Sequence, residues 1–285
     1  MMKIVRTVDT LRETVRDWQI AGETTALVPT MGYLHNAHQA LIEAGRARSD
    51  RTVVSIFVNP KQFGPNEDFK TYPRKEARDL EILEACGVDL VFLPTQEEMY
   101  PPGFCVTIDI PNFANKLCGI GRPTHFSGVA TVCTKLFLQC MPNLAVFGEK
   151  DYQQLQIIRQ LAKDLNINVD ICGVPTVREE DGLAMSSRNV YLSTSERNRA
   201  SKISAVLSAS AKRLSDGMPV DQELHDAFTR FVALVGAAPE YLELCDAQDL
   251  ESIKNVRRPA RLLAAVKIGK TRLIDNWPVS ATIQS

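Results

Sequence analysis

The segment Pro29–His38 (PTMGYLHNAH) holds two of the four histidines in the chain, His35 and His38. It follows a predicted strand and opens a predicted helix, where free N–H groups and the positive dipole end attract anions. Two imidazole N–H donors added there would stabilise negative charge growing on a triphosphate during nucleotidyl transfer. Zinc is a poorer interpretation, because metalloprotease histidines are spaced i, i+4 around a glutamate and no third ligand is nearby. On spacing alone, a pair of half-buried structural histidines is an equal alternative.

Three further polar clusters accompany this segment. Gly148–Asp151 (GEKD) follows a predicted strand, Phe57–Phe63 (FVNPKQF) turns at Asn-Pro beyond another, and Met185–Arg188 (MSSR) lies in a polar loop. Each cluster alone is typical of an ordinary surface loop. Three of the four clusters, however, lie at the predicted carboxyl ends of parallel strands, where ligands bind in such folds. Together their histidines, cations, hydroxyls and amides predict a binding site for ATP and a carboxylate.

The elements that position these clusters alternate between strands and helices through residues 1–176. That alternation predicts an α/β domain with a parallel sheet covered on both faces. The predicted strands are Ala26–Thr30, Thr52–Val58, Leu90–Leu93, Leu144–Phe147 and Val169–Val174, and the predicted helices are His38–Ala47, Arg74–Cys86, Val129–Leu138 and Tyr152–Leu165. Residues 177–285 predict a separate, smaller α+β domain. Its predicted helices are Ser195–Leu214 and Val220–Val235, and its predicted strands are Tyr241–Cys245, Leu262–Ile268 and Arg272–Ile274.

Two segments match nucleotide-binding motifs only in part. Cys118–Gly128 (CGIGRPTHFSG) begins like GxGxxG, but Thr124 stands where the third glycine belongs and no clear strand precedes it. Ala264–Thr271 (AAVKIGKT) resembles a P-loop, which requires a following helix to receive the phosphates. The residues after it favour a strand instead. We therefore predict a hairpin turn at Gly269–Lys270.

Composition and charge exclude several classes of protein. The 285 residues are 45% hydrophobic and 24% charged, which is typical of a globular chain with a substantial core. Thirty-three Lys and Arg against 34 Asp and Glu give a net charge of −1, so broad binding to nucleic acid or to an anionic membrane is not expected. The charged N-terminus and the lack of a long apolar run favour a cytoplasmic protein. Seven cysteines without a CxxC pair indicate reduced thiols.

The ordered blocks ALVPTMGYLH, VVSIFVNPKQF, YPR, RPTHFSGV, FGEKDYQQL, GVPTVREEDGLAMSSRN and RLIDN resemble the pantothenate synthetase (pantoate–β-alanine ligase) family. The resemblance implies a Rossmann-like nucleotidylyltransferase domain, a C-terminal domain that closes over the active site, and usually a homodimer. It also implies the condensation of (R)-pantoate with β-alanine through a pantoyl adenylate. ATP is then a substrate, Mg²⁺ a cofactor, and AMP and pyrophosphate are released.

The same resemblance implies roles for individual residues. His38 is the proton donor, with His35 beside it on the phosphates, and Lys150 and Arg188 also act on the phosphates. Gln62 contacts both pantoate and β-alanine, and Gln154 is a second pantoate ligand. Asn59, Arg122 and His125 line the substrate pocket. The implied ATP-binding residues are Met31, Gly32, Tyr33, Leu34, His35, Asn36, Ala37, His38, Gly148, Glu149, Lys150, Asp151, Val177 (through its backbone), Met185, Ser186, Ser187 and Arg188.

Two positions depart from the family pattern. The family motif reads HxGH, but residue 37 is Ala. Some members carry an Asp-Asp pair followed by Gln that helps to hold Mg²⁺, and the aligned residues here are Arg78, Asp79 and Ile82. Asp79 is therefore the one candidate metal ligand, and ATP phosphates with water would complete the coordination of Mg²⁺.

Three alternatives remain open on the sequence. The HxxH segment also suits a nucleotidylyltransferase that adenylylates a phosphate, or an enzyme resembling an aminoacyl-tRNA synthetase. The near-neutral net charge and the lack of a tRNA-sized appendage argue against the latter. Ala37 is also consistent with a catalytically weakened, nucleotide-binding regulatory protein. Pyrophosphate release that requires pantoate distinguishes the ligase from all three.

Overall fold

The computed structural model describes residues 1–65 and 67–281. The chain divides into two compact units. The first contains Met1–Glu149 and Gln154–Pro175, and the second contains Lys150–Gln153 and the chain from Thr176 onward. The main division lies one residue before the boundary predicted at 176/177. The short segment Lys150–Gln153, which the sequence places in the first domain, is grouped with the second unit.

The first unit is built on a six-stranded sheet in which all paired strands are parallel, as predicted. Its strand order is β1-β4-β3-β2-β5-β6. The strands are β1 (Lys3–Val5), β2 (Thr25–Thr30), β3 (Arg51–Ile56), β4 (Leu90–Phe92), β5 (Leu144–Gly148) and β6 (Asp170–Val174). Val28, Val54 and Val146 are fully buried in its core. Such continuous apolar strands are typical of a parallel sheet covered on both faces.

Helices connect these parallel strands. They are α1 (Val8–Ile20), α2 (Asn36–Arg46), α3 (Glu76–Ala85), α4 (Gln96–Met99), α5 (Pro111–Ala114), α6 (Cys118–Gly121), α7 (His125–Cys140) and α8 (Tyr152–Asp164). The sequence analysis assigned no element to β1 or α1. β1 is only three residues long, and α1 buries only Leu11, Thr14 and Val15. The pattern of β1 is too short for periodicity to detect, whereas α1 carries Leu11, Val15 and Trp18 at helical spacing, a signal that the sequence analysis did not use.

The order of the strands reverses beside β2. This strand pairs with β3 on one side and with β5 on the other, so the connections leave it in opposite directions. The crevice outside such a reversal is the usual ligand site of open α/β sheets. The loop after β2 and the loop after β5, which begin two of the polar clusters, lie at this point.

The second unit contains an antiparallel sheet of order β7-β8-β9 and three helices. The strands are β7 (Pro239–Asp246), β8 (Ala260–Ile268) and β9 (Thr271–Val279), and the helices are α9 (Thr194–Ala200), α10 (Lys202–Ser215) and α11 (Val220–Arg230), with a π-helical turn at Phe231–Val235. Gly269 and Lys270 join β8 to β9, and Gly269 has a φ of +58°. A strand therefore follows the P-loop-like sequence, as predicted, and the phosphate-binding interpretation is excluded.

None of the seven cysteines forms a disulfide, and their reduced state remains a prediction. Burial raises the pKa of the Cys133 and Cys140 thiols to about 12, so both stay protonated at neutral pH. Within the described ranges, none of the helices has both the length and the apolar character that a bilayer crossing requires.

Candidate active site

The loop after β2 has an unusual backbone. Gly32 and Tyr33 are consecutive residues with φ values of +81° and +54°. A Cβ on Gly32 would lie 3.0 Å from both Asp79 Oδ2 and Ile56 Cγ2. Glycine is therefore favoured here by its positive φ and also by the close neighbouring atoms. Thr30 supports the turn, since its hydroxyl donates to the Ser55 carbonyl at 2.8 Å and accepts the Gly32 N–H at 3.2 Å. These contacts fix the backbone of the loop in the residues that precede His35.

Asp79 on α3 accepts hydrogen bonds from the same loop. Its Oδ2 accepts the Tyr33 N–H at 2.7 Å, and its Oδ1 accepts the Leu34 N–H at 2.8 Å. The residue is 1% exposed. Both carboxylate oxygens are therefore used to fix the backbone that precedes the histidines. This geometry favours a structural role over the predicted role as a Mg²⁺ ligand.

The donor set does not fit a metal ion held by the protein. Among residues 1–65 and 67–281, no group of three or more His, Cys, Asp and Glu side chains is arranged to hold one. Mg²⁺ commonly keeps several waters and binds through substrate phosphates. The residues present suit that mode, in which the metal arrives with the nucleotide, better than a dedicated site.

His35 and His38 are arranged around the start of α2. His35 is the N-cap residue, and its backbone N–H donates to Nδ1 of His38 at 3.2 Å. The two ring centroids are 4.1 Å apart. Because Nδ1 accepts a hydrogen bond, a neutral His38 carries its proton on Nε2. That N–H is the donor that the proposed charge stabilisation requires. Asn36 and Ala37 form the first turn of the helix between them.

Gln62 lies in a short 3₁₀ turn, Pro60–Gln62, beyond the end of β3. Its Nε2 donates to Met31 Sδ at 3.2 Å, which links it to the loop after β2. Its Oε1 accepts from Asn59 Nδ2 at 3.0 Å, and Asn59 Nδ2 also donates to the Gly128 carbonyl at 3.1 Å. Asn59 and Gln62 are 1% and 9% exposed. Two predicted substrate residues thus form one buried amide network.

α7 packs directly against this turn. A Cβ on Gly128 would lie 2.2 Å from the Lys61 carbonyl oxygen, so the close approach requires glycine. His125, the first residue of the same helix, has Nδ1 2.9 Å from the Gln62 carbonyl oxygen. The structure therefore brings His125 next to Gln62, and their roles toward a substrate remain predictions.

Arg122 is engaged in an ion pair. Its Nε and one terminal nitrogen donate to the two carboxylate oxygens of Glu67 at 2.7 and 2.5 Å, and the same terminal nitrogen lies 3.4 Å from the Gln62 carbonyl. Burial opposes ionisation of Glu67, but the hydrogen bonds and charge of Arg122 outweigh it and lower the pKa of that carboxyl. The guanidinium charge is consequently balanced beside the Gln62 backbone. Glu67 gives no motif signal that could have revealed this pairing.

The segment after β5 forms a 3₁₀ turn at Glu149–Asp151. Gly148 and Glu149 belong to the first unit, as does the half-buried Gln154 on α8. Lys150 Nζ lies 3.7 Å from Asp151 Oδ1. The Lys150 carbonyl accepts from Asn276 Nδ2 at 2.9 Å, and Arg261 Nε donates to Asn276 Oδ1 at 2.5 Å. Asn276 lies in the RLIDN block, and the sequence analysis assigned it no role.

The Met185–Arg188 segment is fixed within the second unit. The Met185 N–H donates to the Val177 carbonyl at 3.0 Å, so these two predicted ATP-binding residues are neighbours. Ser186 caps the 3₁₀ helix Ser187–Tyr191, and its hydroxyl accepts the Arg188 N–H at 3.3 Å. Arg178, next to Val177, forms two hydrogen bonds to the carboxylate of Asp275, at 2.7 and 2.9 Å.

The predicted residues therefore fall into two sets. The first unit brings together the loop after β2 and the buried network of Asn59 and Gln62, with His125 and Arg122 beside it. The second unit holds Lys150 and Asp151, and also Val177 with Met185–Arg188. Sequence reasoning missed three residues that hydrogen-bond to members of these sets. Asp79 binds the loop after β2, Glu67 binds Arg122, and Asn276 binds the Lys150 carbonyl.

The chain is similar to known proteins over nearly its whole length. A family model described as pantoate-beta-alanine ligase matches residues 3–278. A pantothenate synthetase from Geobacter sulfurreducens is 48% identical over 276 residues, which cover 96% of this chain and 98% of the relative.

Two solved structures are also similar. The crystal structure of pantothenate synthetase from Thermus thermophilus has a TM-score of 0.93 and 42% identity, with coverage of 98% of this chain and 100% of that one. A pantoate-beta-alanine ligase from Francisella tularensis, complexed with beta-gamma ATP and beta-alanine, has a TM-score of 0.80 and 37% identity over 97% of each chain. Because the family model and these relatives cover nearly the whole chain, the chain belongs to the pantoate–β-alanine ligase family.

Proposed function

We propose that the protein condenses (R)-pantoate with β-alanine to form pantothenate, with conversion of ATP to AMP and pyrophosphate. The contact between Gln62 and Met31 carries the proposal. A neutral amide donor, suited to a substrate oxygen, thus lies against the loop that leads to His35 and His38. Two segments in contact would then serve the carboxylate substrate and the phosphates. The family membership over residues 3–278 supports the same conclusion.

The chemistry proceeds in two steps. A carboxylate is a poor electrophile, so the amine of β-alanine cannot displace oxide from it. One pantoate carboxylate oxygen instead attacks the α-phosphorus of ATP, which forms a new O–P bond and breaks the bond between the α-phosphorus and the bridging oxygen. Pyrophosphate leaves. The uncharged amine of β-alanine then attacks the acyl carbon, and AMP departs with the electron pair of the broken C–O bond.

The residues contribute mainly by binding and by stabilising charge. We assign the Nε2–H of His38, with His35, to the negative charge that grows on the phosphates in the first step. Lys150 and Arg188 neutralise the departing pyrophosphate. ATP is bound by the other residues of the loop after β2 and by three further segments, Gly148–Asp151, Val177 and Met185–Arg188. Gln62 and Gln154 bind pantoate, with Asn59 and His125 supporting the pocket.

The amides have a chemical advantage over cations for this substrate. An arginine or lysine paired with the pantoate carboxylate would stabilise its charge and weaken it as a nucleophile. Gln62 is neutral, and the guanidinium of Arg122 near its backbone is already balanced by Glu67. The carboxylate is thus held without the strong ion pair that would slow its attack on phosphorus.

The metal, the assembly and the compartment are parts of the same proposal. Mg²⁺ would be held chiefly by the ATP phosphates and by water, and would supply positive charge to the phosphates. The free thiols support a cytoplasmic enzyme. The homodimer rests on the family resemblance.

Isotope exchange between pyrophosphate and ATP tests the proposal against its alternatives. Purified protein with ATP, Mg²⁺ and labelled pyrophosphate is assayed with pantoate alone, β-alanine alone, both and neither, and with a phosphate monoester in place of pantoate. We expect exchange that requires pantoate and does not require β-alanine. The lack of exchange under all conditions would favour a weakened nucleotide-binding protein. Exchange driven by a phosphate compound instead of pantoate would favour another nucleotidylyltransferase.

A further inference from the structure

Tyr100 belongs to none of the motifs described above, but it contacts the buried amide network of Asn59 and Gln62. It directly follows α4, and its hydroxyl donates to Asn59 Oδ1 at 2.8 Å. Asn59 in turn donates to Gln62 Oε1. A chain of two hydrogen bonds therefore runs from the Tyr100 hydroxyl to the amide that binds pantoate in the proposed function.

The orientation of the Asn59 amide follows from its four partners. Oδ1 accepts the Tyr100 hydroxyl and, at 3.3 Å, the Lys61 N–H. Nδ2 donates to Gln62 Oε1 and to the Gly128 carbonyl. A flipped amide would place its NH₂ group against the Lys61 N–H and its oxygen against the Gly128 carbonyl oxygen. Only one orientation satisfies all four groups.

The fixed Asn59 determines which end of Gln62 is available. Oε1 of Gln62 is occupied by Asn59, so the other end of the amide, Nε2, is left for a ligand. Across the described ranges, Nε2 contacts one acceptor, the thioether of Met31 at 3.2 Å, which is a weak one. A substrate atom at this position must accept a hydrogen bond, as a carboxylate or hydroxyl oxygen does.

The ring of Tyr100 is held independently of its hydroxyl. Its centroid lies 5.0 Å from that of Phe104 and 6.0 Å from that of Phe57. The ammonium groups of Lys61 and Lys135 lie 5.2 and 5.9 Å from it. Burial raises the pKa of the Tyr100 hydroxyl well above its usual range, so the group remains a donor at neutral and moderately alkaline pH. A phenylalanine at this position would keep the ring contacts and lose only the donor.

We propose that Tyr100 is a positioning residue for pantoate, which acts through Asn59 to present the Gln62 N–H to a substrate oxygen. The proposal rests on the proposed function, because that function makes Gln62 a pantoate ligand. Without the hydroxyl, Asn59 Oδ1 keeps only the longer contact to the Lys61 N–H. The Asn59 amide is then held less firmly, and in a fraction of the molecules the Gln62 amide turns its oxygen toward the substrate, where it repels a carboxylate.

The test is a double-mutant cycle read by calorimetric titration of (R)-pantoate. Tyr100→Phe should weaken pantoate binding about tenfold in the wild-type background. In a Gln62→Ala background the same change should cost less than about twofold, because the residue it acts through is gone. ATP affinity should stay within about twofold, and the melting temperature within a few degrees. Tyr241→Phe on β7 is the matched control and should leave pantoate affinity unchanged.

The outcomes separate this proposal from the one it rests on. Unchanged pantoate affinity in Tyr100→Phe would overturn it. An equal loss in the presence and absence of Gln62, or an equal loss for ATP, would also overturn it, because either result indicates a general structural effect. A wild-type protein that binds pantoate but forms no AMP would contradict the proposed function, while the cycle would still decide the role of Tyr100.

Discussion

The hydrogen bond that orients His38 comes from the backbone. The His35 N–H occupies Nδ1, and this leaves Nε2 as the proton-bearing nitrogen of the neutral ring. Backbone groups are also engaged at Asp79, whose carboxylate accepts hydrogen bonds from two N–H groups of the loop. In both cases hydrogen bonds within the first unit fix the backbone of the loop after β2 and the orientation of His38.

His38→Ala is expected to lower kcat by about 10²- to 10⁴-fold, the range for loss of one proton or charge-stabilising donor. The protein should remain folded, because the residue lies in the first turn of α2. Steady-state kinetics with circular dichroism measure both effects. His225→Ala on α11 is the control and should leave kcat unchanged. Near-normal turnover in His38→Ala would show that the histidine pair is structural.

Asp79→Asn is expected to destabilise the protein by about 1–3 kcal/mol, because the amide can accept only one of the two buried N–H groups. The KM for ATP should rise, and the Mg²⁺ concentration that gives half-maximal activity should not change. Urea unfolding and Mg²⁺ titration at fixed ATP measure these quantities. Glu81→Gln, an exposed change on the same helix, is the control. A several-fold greater requirement for Mg²⁺ at unchanged stability would show instead that Asp79 is a metal ligand.

At the scale of elements, the position of the 3₁₀ turn Pro60–Gln62 depends on its contact with α7. Gly128→Ala would force a methyl group against the Lys61 carbonyl oxygen at 2.2 Å. The helix or the turn must then move, at a cost of about 1–3 kcal/mol in folding stability. Because Gln62 belongs to the turn, pantoate binding should weaken as well.

Urea unfolding and the KM for pantoate test this prediction together. Gly121→Ala on α6 is the matched control, since a Cβ there has no heavy atom within 4 Å. The control should preserve both quantities to within about 0.5 kcal/mol and twofold. A Gly128→Ala protein with normal stability and a normal KM would contradict the assigned packing.

The predicted elements were most accurate where one face or both faces of an element are buried. The apolar strands Thr25–Thr30 and Leu144–Gly148 and the helix after each were predicted because their patterns are strong. The predicted helix Ser195–Leu214 is two helices, interrupted at Ser201, whose hydroxyl donates to the Asn198 carbonyl at 2.9 Å. Such local side-chain bonds compete with a helix and have no periodic signal.

The supporting contacts of the site could not be predicted from the sequence. The Tyr100 hydroxyl reaches Asn59 across 41 residues, and the Asn276 amide reaches the Lys150 carbonyl across 126. Neither pair has a characteristic spacing, because its geometry arises only when separate elements pack. Three of the four motif clusters were identified because they lie at predicted strand ends, where ligands bind in parallel sheets, and the other residues follow from the family resemblance.

At the scale of the whole molecule, the near-zero net charge is consistent with anionic substrates held by a few placed groups. The backbone N–H groups of Tyr33 and Leu34 bind a protein carboxylate, and the charge of Arg122 is balanced by Glu67. Lys150–Gln153 are grouped with the second unit, although Glu149 and Gln154 on either side of them belong to the first.

The most direct test of this account follows the carboxylate oxygens of pantoate. The protein is incubated with ATP, Mg²⁺, β-alanine and (R)-pantoate that carries ¹⁸O in both carboxylate positions, and the products are analysed by mass spectrometry. Attack of the carboxylate on the α-phosphorus predicts AMP with one ¹⁸O atom and pantothenate with the other in its amide carbonyl. Formation of ADP with labelled phosphate, or of AMP without the label, would contradict the pantoyl adenylate.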